Sequence, residues 1–138
     1  MKNSLSEILF WAMFFALIAL FVIMGYFTWY PYTPVRVDGI IPDKTEVCRG
    51  EELCFMFKGE KFYEMPVEIL VELTNGERYY VMRYTSNTPK GDVFNRRCFI
   101  VPNSVKPNNY RIEWTGTYKM NMLREVHKKG YSGWIEVK

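Results

Sequence analysis

Two hydrophobic rhythms divide this chain. From Ile8 to Phe27 apolar residues run almost unbroken, and no charged side chain occurs between residues 8 and 35. Beyond Val35 the apolar positions return at every second residue. The first run is twenty residues long, and a helix of that length spans about 30 Å, the thickness of a bilayer's hydrocarbon core. Inside lipid the backbone must satisfy its own hydrogen bonds, so such a run is expected to be helical. Ser4-Leu5-Ser6-Glu7 fits a capping box, with Ser4 at the N-cap and Glu7 reaching back to it. Pro31 and Pro34 cannot continue the helix, and they push Tyr30 and Thr33 toward extended geometry.

The flanks agree with a membrane setting. Tyr26, Trp29, Tyr30 and Tyr32 combine apolar bodies with polar edges, which suits the headgroup layer, and Trp11 can play the same part nearer the other face. A buried core helix is the soluble alternative, but this run is apolar on every side and too large for a domain of about a hundred residues to enclose. A cleavable signal usually ends in small residues, whereas Gly25 to Tyr30 is bulky, so an uncleaved signal anchor is expected. The expected organisation is a tail and helix cap over 1–7, a transmembrane helix over 8–30, a stiff juxtamembrane spacer over 31–35 and a folded domain over 36–138. With a short N-terminal tail ahead of a whole domain, the N-terminus is expected on the cytoplasmic side and the domain outside.

The second rhythm is that of strands. Val67, Ile69, Val71 and Leu73 alternate with Glu68, Leu70 and Glu72, which describes a strand buried on one face and wet on the other. Leu53, Phe55 and Phe57 alternate with Cys54, Met56 and Lys58, and Tyr110, Ile112 and Trp114 with Arg111 and Glu113. Asn75-Gly76 signals a two-residue hairpin whose central positions both need positive φ. About seven strands result, near 36–41, 51–58, 66–74, 77–84, 93–101, 109–118 and 133–138. That pattern predicts an all-β domain, an antiparallel sandwich of immunoglobulin type.

The stretch IVPNSVKPNNYRIEW resembles the connection between the fifth and sixth strands of immunoglobulin-like domains, where a turn precedes a tyrosine whose hydroxyl bonds back to upstream backbone. Tyr110 would be that corner tyrosine, with Ile112 where antibody domains place a cysteine. The chain departs from the pattern at Asn108 and Asn109, where glycine is more usual, and it lacks the Cys-Trp-Cys framework. The resemblance implies that the second and fifth strands are antiparallel neighbours. Pairing Glu51 with Val101 then brings Cys54 opposite Cys98. Cys48 is the third cysteine, so three single bridges and a fully reduced chain all stay open. In overall make-up, a small anchor carrying such a domain resembles membrane-associated proteins of bacteriophages and other prokaryotic viruses.

Composition narrows the chemistry. A net charge of +3 is too small to argue for nucleic acid. The single histidine, His127, stands in a basic run away from any cysteine, and no cysteine pair has zinc-ligand spacing. The carboxylate pairs Glu51-Glu52 and Glu68/Glu72 fall on exposed strand faces. No catalytic, metal or cofactor site is therefore expected, nor any small-molecule substrate. Binding has a better candidate. Residues 118–134 form the longest connection, where Met120, Leu123 and His127 can share a short helical face with Arg124, Lys128 and Lys129 pointing outward. Such a loop suits an acidic protein or anionic headgroups. The expected function is a single-pass structural or interaction module of a viral or cell-envelope assembly. Its partners would be the bilayer, other membrane or envelope proteins, or further copies of itself. The alternatives are a receptor-like binder of protein or glycan through residues 119–131 and an accessory subunit of a membrane complex.

Overall fold

The computed structural model describes residues 2–29 and 33–138. The described chain falls into two compact units: the N-terminal helix with residues 120–124, and the remainder. The expectations placed on Tyr30, Pro31 and Tyr32, including the start of the stiff spacer, lie outside the described residues.

Helix α1 runs over Lys2–Trp29. It is long and apolar enough to cross a membrane, and none of its apolar span is buried within the protein. From Ile8 to Trp29 every residue but the half-buried Gly25 and Thr28 is exposed. The helix begins two residues ahead of Ser4, so Ser4 lies inside the first turn and does not cap it. Lysine and asparagine are both compatible with helical geometry, and helix ends shift by a residue or two with little cost. Near the other end, the Thr28 hydroxyl donates to the Met24 carbonyl at 2.8 Å, so a polar group in an apolar segment is satisfied within the helix.

The second unit is mostly strand, as the period-two pattern predicts. Its strands are β1 (Val35–Pro42), β2 (Glu46–Val47), β3 (Glu52–Lys61), β4 (Val67–Thr74), β5 (Arg78–Ser86), β6 (Gly91–Ile100), β7 (Asn108–Asn121) and β8 (Arg124–Val137). They form one curled mixed sheet in the order β5-β4-β7-β8-β1-β3-β6, with β2 paired to β8. The pairings of β8 with β1 and β2 are parallel and short, while β1–β3, β3–β6, β4–β5 and β4–β7 are antiparallel. The two edge strands approach each other across the curl, where Arg97 of β6 lies 4.7 Å from the centroid of the Tyr84 ring on β5.

This arrangement is a half-barrel, where the sequence led to a sandwich. The difference lies in β8. It begins nine residues before the expected 133, and its fourteen residues reach β7, β1 and β2, so one long strand joins the two halves into a single sheet.

The interior collects the alternating positions. Leu53, Phe55, Phe57, Val67, Ile69, Val71, Leu73, Tyr110, Ile112, Trp114 and Ile135 are buried. Trp114 stacks on Phe57 with centroids 4.6 Å apart. Gly116 clears the space above that indole, since a Cβ there would run into the ring.

Three local features fix the ends of strands. The Tyr110 hydroxyl donates to the Lys106 carbonyl at 2.9 Å, closing the corner before β7. Cys54 faces Cys98 across β3 and β6, and their sulfurs are bonded, while Cys48 is free and exposed. The Asn75-Gly76 turn differs from the expected two-residue hairpin. Gly76 alone has positive φ there, at 111°, and the loop extends to Glu77. The Asn75 side chain accepts the Glu77 N–H at 3.2 Å, which closes a wider turn than the I′ geometry.

Candidate functional site

Residues 118–134, expected to be a loop with a helical turn, are instead the paired ends of β7 and β8 and the tight turn between them. Lys, Arg and His at close spacing suggest a solvated loop, yet from Arg124 to Lys129 burial alternates residue by residue, as a strand requires. Met120, Leu123 and His127 therefore share no helical face. The residues proposed for one surface separate into three roles.

At the turn, Met122 is fully exposed and Leu123 more than half so. Asn121 organises this tip: its Oδ1 accepts the Leu123 N–H at 2.9 Å, and its Nδ2 donates to the Phe27 carbonyl of α1 at 3.3 Å.

Along β8, the basic residues are not equivalent. The Lys129 ammonium donates to Glu113 Oε1 at 2.6 Å, and that carboxylate is buried on β7. The Arg78 guanidinium adds a second positive charge 3.7 Å from the same oxygen. Lys129 thus neutralises a buried charge and belongs to the fold. His127 Nδ1 lies 3.0 Å from Thr117 Oγ1 on the neighbouring strand. Lys119 reaches Glu68 at 4.0 Å from a well-exposed position. Glu51 and Glu72, which alternation placed on exposed strand faces, are paired with Lys44 and Arg78, and Glu72 is only 14% exposed.

Beyond the tip, β7 and β8 carry an aromatic and cationic cluster that strand alternation alone did not reveal. The Arg111 guanidinium lies 4.2 Å from the centroid of Tyr131 and 5.6 Å from that of Trp134. Both rings are exposed. An open depression beside Trp134 is rimmed by the amides of Asn75, Asn108 and Asn109. Stacked guanidinium, exposed indole and several amides can contact a flat or hydroxyl-rich ligand. Trp114 and Tyr84 offer no such face, being taken up by the core and by Arg97.

A small cleft of about 30 Å³ opens between β5 and β6, lined by Phe57, Tyr84, Trp114 and Tyr118 with Lys61 at its polar end. The Lys61 ammonium is held by the Met65 and Thr88 carbonyls at 2.5 and 2.7 Å, and burial lowers its pKa. Among the described residues, one His/Cys/Asp/Glu group has metal-binding proximity: Glu52, Cys54 and Cys98. Its sulfurs are spent in the disulfide, so it offers no thiolate pair.

No protein-family model and no curated protein matches the chain. Solved structures with a similar path include the Pseudomonas fluorescens alkylpurine DNA glycosylase AlkC bound to DNA containing an abasic site analog. It has a TM-score of 0.43 and 11% identity over 77% of this chain and 31% of that one. A protein of unknown function from Porphyromonas gingivalis W83 has a TM-score of 0.39 and 10% identity, over 76% of this chain and 48% of its own. Spo0M, a sporulation control protein from Bacillus subtilis, has a TM-score of 0.34 and 11% identity, over 78% and 50%. This chain spans half or less of each, and similarity at this level transfers no activity.

Proposed function

We propose that this protein is a single-pass membrane protein whose β-domain works as a structural or interaction module at the bilayer surface, within a viral or cell-envelope assembly. The observation that carries the proposal is α1: its apolar span is wholly unburied, and a helix of that kind is stable in lipid and costly in water. The Cys54–Cys98 bridge supports an extracytoplasmic domain and a cytoplasmic N-terminus, because bridges persist in oxidising compartments. The Tyr110 corner supports an immunoglobulin-like relation for the domain, and the single curled sheet counts against it. Copurification tests the proposal. Full-length protein extracted from its native membrane in mild detergent should emerge in an assembly of fixed composition and copy number. A lone chain at every stage of purification would sink it.

A second reading, a receptor-like binder, is favoured by the Arg111, Tyr131 and Trp134 cluster. It predicts a monomer that retains a protein or glycan ligand and releases it when Trp134 is replaced by Ala.

A further inference from the structure

Among the described residues, the most exposed apolar side chain is neither on the helix nor in the cleft. It is Met122, at the end of the longest hairpin, with Leu123 beside it. A tight turn needs neither residue, since Asn121 already closes it through the Leu123 N–H. The neighbourhood of this turn identifies what the two side chains meet. Residues 120–124 group with α1, and the Asn121 amide donates to the Phe27 carbonyl. That carbonyl is one of the last four of a helix ending at Trp29, so it has no partner in its own helix. Phe27 also closes the apolar run, beside Tyr26 and Trp29, at the level where a spanning helix would leave the hydrocarbon. Met122 follows Asn121 directly, about 3.8 Å further along the chain. Lys119 and Arg124 flank the pair in sequence, where anionic headgroups would meet them.

We propose that the β7–β8 turn is a second membrane contact. Met122 and Leu123 enter the headgroup and upper acyl layer beside the end of α1, and Asn121 caps the helix there. This inference rests on the spanning assignment of α1. The turn would fix a second point of the chain at the bilayer. A protein groove is the competing occupant. The contact with the helix end favours lipid, because it holds the turn at the bilayer edge whatever else is bound.

Depth-dependent quenching separates these cases. In full-length protein carrying Cys48→Ser, a bimane label is placed at Met122→Cys, at Leu17→Cys in the middle of α1, or at Ile100→Cys on an exposed strand position. Each is reconstituted into vesicles of phosphatidylcholine and phosphatidylglycerol with bromine on the upper acyl chain. The expected result is strong quenching at Leu17, quenching at Met122 several times that at Ile100, and protection of Met122 from aqueous iodide. Quenching at Leu17 with Met122 equal to Ile100 overturns the second contact and leaves the anchor standing. Protection of Met122 from iodide without quenching by bromolipid assigns the turn to a protein partner and also overturns it. Absence of quenching at Leu17 removes the anchor, and this inference with it.

Discussion

Gly116 shows how closely single positions are specified. Its hydrogen occupies the only space left above the Trp114 indole, and a methyl group there collides with the ring. Gly116→Ala must displace Trp114 from its stack on Phe57, and overpacking of this kind costs about 1–3 kcal/mol. Thermal unfolding in detergent should show a lowered Tm, and an unchanged Tm would mean that the ring has room to move. Lys129 makes a second case. Its removal leaves Glu113 buried with only the more distant Arg78, and because the lysine itself is 41% exposed, Lys129→Ala should destabilise by about 1–3 kcal/mol, the cost of leaving a buried acceptor short of a partner. Adding Glu113→Gln should restore much of the loss, and Lys128→Ala should cost little. A partner-binding role for Lys129 would instead leave stability alone. The Tyr79 phenol, donating to Glu77 at 2.7 Å, has its pKa raised from its usual value near 10 to about 12. Between those values the folded state keeps a proton that the unfolded chain has released, so stability falls as pH rises through that window. Tyr79→Phe should flatten the fall in a pH series of unfolding curves. Alternation in the sequence identified Ile112 and Trp114 as inward but left Glu113 on the wet face. Its burial depends on the strands that cover it, which period-two counting along β7 cannot see.

At the level of elements, β6 is an edge strand tied to β3 by ten paired positions and by the Cys54–Cys98 bridge. The bridge spans 44 positions, for which chain-entropy reasoning gives about 4 kcal/mol of stabilisation. Replacing both cysteines by serine should lower stability by up to that amount, read from denaturant midpoints. A loss below about 1 kcal/mol would mean that the unfolded chain is already compact there. Six of the strands could be located from the sequence because their apolar residues alternate cleanly. β8 could be located only at its end. From Arg124 to Lys129 the inward positions hold Arg124, Val126 and Lys128, and this part of the strand is held by its neighbour β7 more than by an apolar face. The same gap hid the sheet's topology, because the missing half of β8 is what joins its two halves. The facing of Cys54 and Cys98 needed only the pairing of Glu51 with Val101, whose backbone hydrogen bond is 3.0 Å.

For the whole molecule, the proposed anchoring through α1 is directly testable. Full-length protein should stay with membranes through alkaline carbonate and leave them only with detergent, and release by carbonate would refute the anchor. The order of the strands carries one more consequence. β8 is the last strand in the sequence, yet it lies inside the sheet between β7 and β1. Residues 35–123 therefore cannot complete the sheet while β8 is still within the ribosome. The helix, by contrast, emerges before any strand. Under the proposed anchoring, synthesis orders the events: the helix can reach a membrane first, while the β-domain is still unfolded and able to pass through a translocation channel. The sheet would then close only once β8 has followed, on whichever side the domain finds itself.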